Sequence, residues 1–264
     1  MKKFLIQFLI FILLFLGLWW LLAQLEWKEF LKLEERGDQI EEKLGEIMWE
    51  VVEQEYEVND EPQIKGKVDT ILTRIARENG IKREDIQLEI VEAEEINAFV
   101  MPDDYMVVFT GLIEEAENPE ELAGVLAHEL AHIEKGHIME KLSKEIGMSV
   151  LIGVATGDTG GETARSVFRL LASNAFSRQM EEEADQYAVK YLLEADIDPD
   201  PFATLMYRIS EERGEMPGHL EWFATHPDPE TRAVTISEEI PEETREFTEA
   251  LPPEDWQELK ELAE

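Results

Sequence analysis

Two histidines and a glutamate in one short stretch are the residues best suited to chemistry. They are His128, Glu129 and His132, in the order His-Glu-Leu-Ala-His. Residues four apart lie on one face of an α-helix, so both imidazoles can reach a single cation. Glu129 then stands beside that cation, where its carboxylate can take a proton from an attacking water. The plain alternative is two histidines on a helix face with a solvated glutamate between them.

A catalytic zinc ion needs a third protein ligand and one open position. His137 is the nearer candidate, but nine residues after His128 corresponds to a rotation of about 900°, the opposite face of a continuous helix. We therefore expect His137 to make a supporting polar contact. Glu181 is the better candidate, because Glu181, Ala184 and Asp185 share a helical face and the small alanine allows close packing.

Asp185 lies one helical turn beyond Glu181, where it could accept a hydrogen bond from a ligand histidine and fix its tautomer. The alternative for this acidic stretch is a solvated run of glutamates, since 60 of the 264 residues are Asp or Glu. The presence of the histidine pair favours the ligand interpretation.

The elements that position these residues can be predicted from local patterns. Asn118-Pro119 followed by two glutamates predicts a helix start, with a capping side chain, proline in the first turn and carboxylates at the positive dipole end. Alternation over 86–90 predicts a strand, and 98–110 predicts a hairpin. A single long helix is expected over 163–195.

The N-terminus predicts a membrane anchor. Residues 4–25 contain no charged side chain, and 22 residues at about 1.5 Å each suffice to cross a bilayer. The alternative is a cleaved signal peptide, whose apolar region is normally shorter. Lys2 and Lys3 favour an inside N-terminus, which places the rest of the chain on the extracytoplasmic, periplasmic side.

Composition excludes several classes of function. The chain has no cysteine, so thiolate ligands and disulfides are excluded and a metal site must use His, Asp or Glu. The formal net charge of −36 repels phosphates, which argues against nucleic acid as a partner.

Four motifs, in order along the chain, resemble the zinc metallopeptidases that include HtpX, the CAAX prenyl endopeptidases and the periplasmic BepA-like proteases. The motifs are Asn97-Ala98-Phe99 with Pro102 and Tyr105, His128-Glu129-x-x-His132 with His137, Ser177-Arg178 with Glu181 and Ala184-Asp185, and His226-Pro227 with Arg232. This resemblance covers roughly residues 60–235. One departure is Asp103-Asp104, where family hairpins often carry Gly-Gly.

The resemblance implies a role for each of these residues. It makes Glu181 the third zinc ligand, with Asp185 as its supporting partner, and it implies that Arg178 and Arg232 support the carboxylates. It places His226 near the active site, as a stabiliser of the oxyanion or a gate for metal access, although an ordinary His-Pro turn is the alternative. Substrate-binding residues are expected at Asn97, Ala98 and Phe99.

We therefore expect a mainly helical, zincin-like α+β domain with a small sheet and one N-terminal transmembrane helix. The predicted divisions are an anchor (1–26), a helical linker (27–60), the zinc metallopeptidase domain (61–240) and an acidic tail (241–264). An edge strand near Phe99 or Tyr105 would pair with an extended peptide substrate.

The expected function is a membrane-anchored zinc endopeptidase that degrades unfolded or misassembled envelope proteins. The rivals are a processing peptidase with one dedicated substrate and a non-catalytic, chaperone-like binding module.

Overall fold

A computed structural model of the protein describes residues 12, 15, 33–158, 160–212, 222–241 and 246–263. The chain divides into two units, residues 1–40 and 41–264. The predicted anchor at 4–25 lies outside the described residues apart from two isolated positions. Within the described part of the chain, no helix is both long enough and apolar enough to span a bilayer.

The predicted class, mainly helical α+β with a small sheet, is confirmed by the described residues. The helices are α1 (Leu33–Glu55), α2 (Pro62–Glu78), α3 (Thr110–Glu115), α4 (Pro119–Glu134), α5 (His137–Glu145), α6 (Met148–Ala155), α7 (Gly161–Ser173), α8 (Arg178–Glu194), α9 (Asp200–Glu212), α10 (Trp222–Thr225), α11 (Pro229–Glu239) and α12 (Pro253–Ala263). The strands are β1 (Glu57–Val58), β2 (Gln87–Glu92), β3 (Ala98–Met101) and β4 (Tyr105–Phe109).

The four strands form one sheet in the order β1-β2-β4-β3. Strands β2 and β4 are parallel, with Leu88 opposite Met106, while β3 and β4 form the predicted antiparallel hairpin, with Phe99 opposite Val107. Strand β3 is thus an edge strand. Of the two positions predicted for an edge strand, Phe99 lies on one, whereas Tyr105 does not, because it begins β4, which is paired on both sides.

The turn between β3 and β4 is left-handed at two consecutive aspartates. Asp103 and Asp104 have φ values of 64° and 54°, a region that aspartate enters more readily than most residues other than glycine. The turn lies against α1, where a Cβ added to Gly45 would come within 2.5 Å of the carbonyl oxygen of Pro102. Glycine at position 45 is therefore what allows this close approach.

The predicted helix over 163–195 is wrong as a single element. Helix α7 ends at Ser173 and α8 begins at Arg178, because the Ser177 side chain caps α8 by accepting from the backbone N–H of Met180 at 3.3 Å. The intervening segment is fixed by another part of the chain, since the N–H of Phe176 donates to the carbonyl of Thr225 at 3.0 Å.

The described part of the predicted acidic tail contains helix α12, which packs against α2 and α3. Lys67 of α2 pairs with Asp255 at 2.6 Å and with Glu258 at 2.8 Å. Arg74, also in α2, donates to the carbonyl oxygen of Glu249 at 2.7 Å. Residues 246–263 are therefore tied to the helices that flank the sheet.

Candidate metal centre

Helix α4 places the histidine pair in the interior of the domain. The Asn118 side chain caps the helix by accepting from the N–H of Glu121 at 2.9 Å. One residue on the α4 face that meets α9 must be small, because a Cβ on Gly124 would lie 2.4 Å from the Cβ of Phe202. The side chains of His128 and His132 are completely buried.

Helix α8 brings Glu181 to the histidine pair, and its contact with α4 is the most extensive between any two described elements. Ala184 and Ala188 are fully buried, and their small side chains let the two helices approach closely. Glu181 is itself only 3% exposed. The packing of α8 on α4 therefore carries a carboxylate 49 residues beyond His132 into the same buried pocket.

Four side chains converge on one point, namely His128, His132, Glu181 and His226. The Nε2 atoms of His128 and His132 are 3.1 Å apart, and Nδ1 of His226 lies 3.2 Å from Nε2 of His128. Nδ1 of His226 is also 2.9 Å from Oε1 of Glu181, which is 3.5 Å from Nε2 of His132. Tetrahedral zinc ligands lie roughly 3.3 Å from one another, so the donor set fits a zinc ion.

The protonation states of these donors also suit a metal. Burial, together with the charge of Arg232, lowers the pKa of His128 to about 3, and burial also lowers the pKa of His226. Burial alone would raise the pKa of Glu181, but His226 and Arg232 outweigh it and hold this pKa well below its usual range. Neutral imidazoles and an ionised carboxylate are the forms that bind metal.

Asp185 and Arg232 brace the ligands from behind. The side chain of Asp185 lies 3.0 Å from Nδ1 of His128, which directs Nε2 of that ring towards the other donors. Arg232 donates to both carboxylate oxygens of Asp185, at 2.6 and 2.8 Å. Its Nη1 lies 2.8 Å from Oε2 of Glu181. One buried guanidinium therefore compensates two buried carboxylates.

His137 lies beside the site, although the rotation argument predicts the opposite face. Its Nδ1 is 2.9 Å from Nδ1 of His132, and its Nε2 is 3.6 Å from Glu183. The rotation argument fails because α4 ends at Glu134 and Gly136, with φ of 65°, turns the chain before α5 begins. His137 thus contacts the ring nitrogen of His132 that faces away from the donor cluster.

Glu129 is buried next to the cluster and is held by one oxygen. The indole N–H of Trp222 donates to its Oε1 at 2.9 Å. Its other oxygen, Oε2, has no hydrogen-bond partner among the described residues, and the same is true of Nε2 of His226. Burial raises the pKa of Glu129 to about 7, close to the value that suits a general base at neutral pH.

Arg178 lies at the outer edge of the site. Its side chain is exposed and lines a cavity of about 190 Å³ together with Glu181, Asp185 and Arg232. Within the described ranges, it forms no ion pair with either carboxylate, unlike Arg232.

The predicted substrate residues Asn97, Ala98 and Phe99 are buried. The Phe99 ring packs edge-on against Phe168 of α7, with centroids 6.1 Å apart. Strand β3 is thus an edge strand by hydrogen bonding, yet its side chains are covered in this conformation.

Two aromatic residues at the site have no place in the sequence predictions. Trp222 stands one helical turn before His226, and the N–H of His226 donates to its carbonyl at 2.8 Å. Trp222 precedes His226 by four residues, and this helical spacing could have indicated that Trp222 lies beside His226. Phe176 packs on His132 with centroids 4.1 Å apart, and it comes from a non-periodic segment that offers no such signal.

Comparison with known proteins agrees with this geometry. The model of Peptidase family M48 matches residues 62–240. The chain is 31% identical over 177 residues to the mitochondrial metalloendopeptidase OMA1 of Schizosaccharomyces pombe, covering 66% of this chain and 52% of that protein. It is 26% identical over 179 residues to the metalloprotease LoiP of Escherichia coli, covering 64% and 69%.

A third relative is the beta-barrel assembly-enhancing protease of Yersinia pestis, 23% identical over 184 residues, with 65% of this chain and 38% of that protein covered. The chain therefore spans about half or less of the length of several curated relatives that it matches. The family match extends over most of the domain and includes every residue of the donor cluster. The chain belongs to peptidase family M48.

Proposed function

We propose that this chain is a zinc metalloendopeptidase, in which His128, His132 and Glu181 hold the ion and Glu129 is the general base. The observation that carries the proposal is the convergence of buried donors at ligand spacing with a buried carboxylate directly beside them. When bound, zinc acts as a Lewis acid that polarises the scissile carbonyl.

The chain's own residues perform the proton transfers. Trp222 fixes Oε1 of Glu129, so Oε2 is the oxygen available to accept a proton from the attacking water. A pKa of about 7 lets this carboxylate accept the proton and later return it to the leaving amine. Asp185 holds His128 in the tautomer that presents Nε2 to the cluster.

For His226 we propose the gating role. Its Nδ1 lies among the other donors, at 2.9 Å from Glu181 and 3.2 Å from His128. If His128, His132 and Glu181 held a zinc ion, His226 would be a fourth protein donor, whereas a catalytic site keeps one position for water or substrate. His226 would therefore have to swing away before a peptide binds. The burial of Asn97, Ala98 and Phe99 supports the same closed state.

We further propose that the work of this peptidase is protein quality control at a membrane. The uncharged run at 4–25 supports a single anchor, and the two N-terminal lysines support a periplasmic peptidase domain at 61–240. The name of the relative from Yersinia pestis, a beta-barrel assembly-enhancing protease, supports misassembled envelope proteins as substrates.

The test is hydrolysis of an unfolded model protein such as reduced casein by the full chain, before and after treatment with a chelator. We expect cleavage at several sites, loss of cleavage on chelation and recovery with added zinc. A zinc-loaded chain that binds the unfolded protein without cleaving it would instead favour the chaperone-like binding module. Cleavage of one native protein only, at one bond, would favour the processing peptidase.

A further inference from the structure

Lys141 is a buried cation that the proposed mechanism does not use. It lies in α5 with only 3% of its surface exposed. In the described part of the chain, no carboxylate forms an ion pair with its ammonium group, whereas its neighbour Lys144 is exposed and paired with Glu140. Burying an amine without a contacting carboxylate is costly, so its position calls for a physical reason.

Three contacts of the Lys141 ammonium group are with one short segment, residues 171–176. Nζ donates to the carbonyl oxygen of Leu171 at 3.1 Å and to that of Asn174. The same atom lies over the Phe176 ring, 4.1 Å from its centroid, which is a cation–π contact. Lys141 therefore fixes the chain between the end of α7 and the start of α8.

The segment held by Lys141 touches the donor cluster directly. The Phe176 ring lies 4.1 Å from the His132 ring and stacks on the His226 ring at 5.5 Å, with an interplanar angle of 24°. The Phe176 N–H donates to the carbonyl of Thr225, the residue before His226. The next residue, Ser177, caps the helix that carries Glu181. One ammonium group thus anchors the segment that borders three of the four donors.

We propose that Lys141 is a positioning residue, which clamps Phe176 against His132 and His226 and so fixes the relative orientation of the metal ligands. The proposal rests on the proposed metallopeptidase function. Replacing the ammonium group with an apolar group would leave the buried carbonyl of Leu171 and the partly buried carbonyl of Asn174 without this donor, and would free the Phe176 ring. The ligand rings would then lose the surface that orients them.

The test compares Lys141→Met, Lys141→Arg and the matched control Lys144→Met, which changes an exposed lysine on the same helix. Each full chain is loaded with Co²⁺, whose visible absorption reports ligand geometry, and cobalt release to a chelator is timed. For Lys141→Met we expect an altered spectrum and release about tenfold faster, the lower end of the cost of losing a direct partner of a metal ligand, because Lys141 acts through Phe176. On casein, kcat should fall similarly while KM changes little.

Lys141→Arg keeps a cation and its donors, so its cobalt spectrum and its cobalt release rate should lie between those of Lys141→Met and the wild type. Lys144→Met should match the wild type. A folded Lys141→Met chain with wild-type spectrum and release rate would overturn the proposal. If that variant does not fold, Phe176→Leu serves instead: an altered spectrum supports the clamp and an unchanged one overturns it. A wild-type chain that binds cobalt but cleaves nothing would contradict only the proposed function, because the spectra still decide the role of Lys141.

Discussion

The donor cluster and the β3–β4 hairpin are both largely buried, yet the pKa values of Glu181 and Asp185 in the cluster and of Asp104 in the hairpin shift in opposite directions. In the cluster, Asp185 and Glu181 are in contact with Arg232, and their pKa values are lowered although burial opposes the shift. In the hairpin turn, the Asp104 side chain has no ion pair or hydrogen bond within the described residues, and burial together with Asp103 raises its pKa to about 6. For Glu181 and Asp185, contact with the Arg232 guanidinium helps to offset the effect of burial on the pKa, and Asp104 has no such contact among the described residues.

The largest effect should come from removing a ligand from the cluster. Changing His128, His132 or Glu181 to alanine removes one of the three proposed permanent ligands, and His226, which is proposed to swing away from the site, cannot replace it. Each variant should therefore contain almost no zinc by elemental analysis after gel filtration. His137→Ala should keep its zinc, because His137 contacts only the far nitrogen of His132. The ligand assignment is wrong if His137→Ala empties the site while Glu181→Ala does not.

Arg232→Met should leave the buried carboxylates of Glu181 and Asp185 without their contacting cation, and among the described residues Asp104 in the hairpin likewise has none. The free energy of unfolding should fall by on the order of 3–5 kcal/mol, the usual cost of breaking a buried ion pair. Urea unfolding in the presence of a chelator measures this without a contribution from metal. The control is Arg178→Met, an exposed arginine whose loss should change stability by less than about 0.5 kcal/mol. If Arg232→Met and Arg178→Met lowered the free energy of unfolding equally, the claim that Arg232 compensates the buried carboxylates would be wrong.

His226→Ala tests whether the fourth donor is a gate. Because three ligands remain, zinc should stay bound, but its release to a chelator should be roughly tenfold faster. Hydrolysis of casein should be retained or should rise, since the site no longer has to open. If hydrolysis falls by about a hundredfold or more at an unchanged release rate, His226 stabilises the oxyanion instead.

The smallest effect is expected in the hairpin. A carboxyl with a raised pKa in the folded state costs no stability below its ordinary pKa of 3.8, and its full cost appears once the pH exceeds about 6. Asp104→Asn removes that cost and tolerates the left-handed conformation. Because the side chain is partly exposed, we expect a gain of about 1 kcal/mol, or roughly 2–4 °C in Tm, at pH 7.5.

At pH 4 the gain from Asp104→Asn should nearly vanish. Asp60→Asn, at an exposed position, controls for the change in net charge. A gain for Asp104→Asn that does not depend on pH would show that the amide acts through the turn conformation and not through the lost charge.

The sequence predicts the cluster well where local rules apply. Asn118 and Pro119 begin α4 as expected, and the four-residue step brings His128 and His132 together. The hairpin is also present at the predicted place. In each case the determining interactions lie within a few residues of one another, so a pattern in the chain carries the information.

Predictions fail where tertiary contacts decide. The parallel pairing of β2 with β4 puts Tyr105 inside the sheet, and no local pattern specifies a crossover partner. The Ser177 cap splits the helix predicted over 163–195, and the left-handed Gly136 invalidates the rotation argument for His137. Lys141 of α5 and Phe176 of the segment between α7 and α8 meet only through tertiary packing.

The measurement that tests the central claim most directly pairs zinc content with turnover for Glu129→Gln. Glutamine is nearly isosteric, so the ligands should keep a full equivalent of zinc, but its amide cannot accept a proton at neutral pH. Hydrolysis of casein should fall by at least about a hundredfold, the lower bound of what a general base contributes. Near-normal turnover with full zinc would show that Glu129 is not the base. Loss of zinc together with activity would show that Glu129 holds the metal or the fold instead.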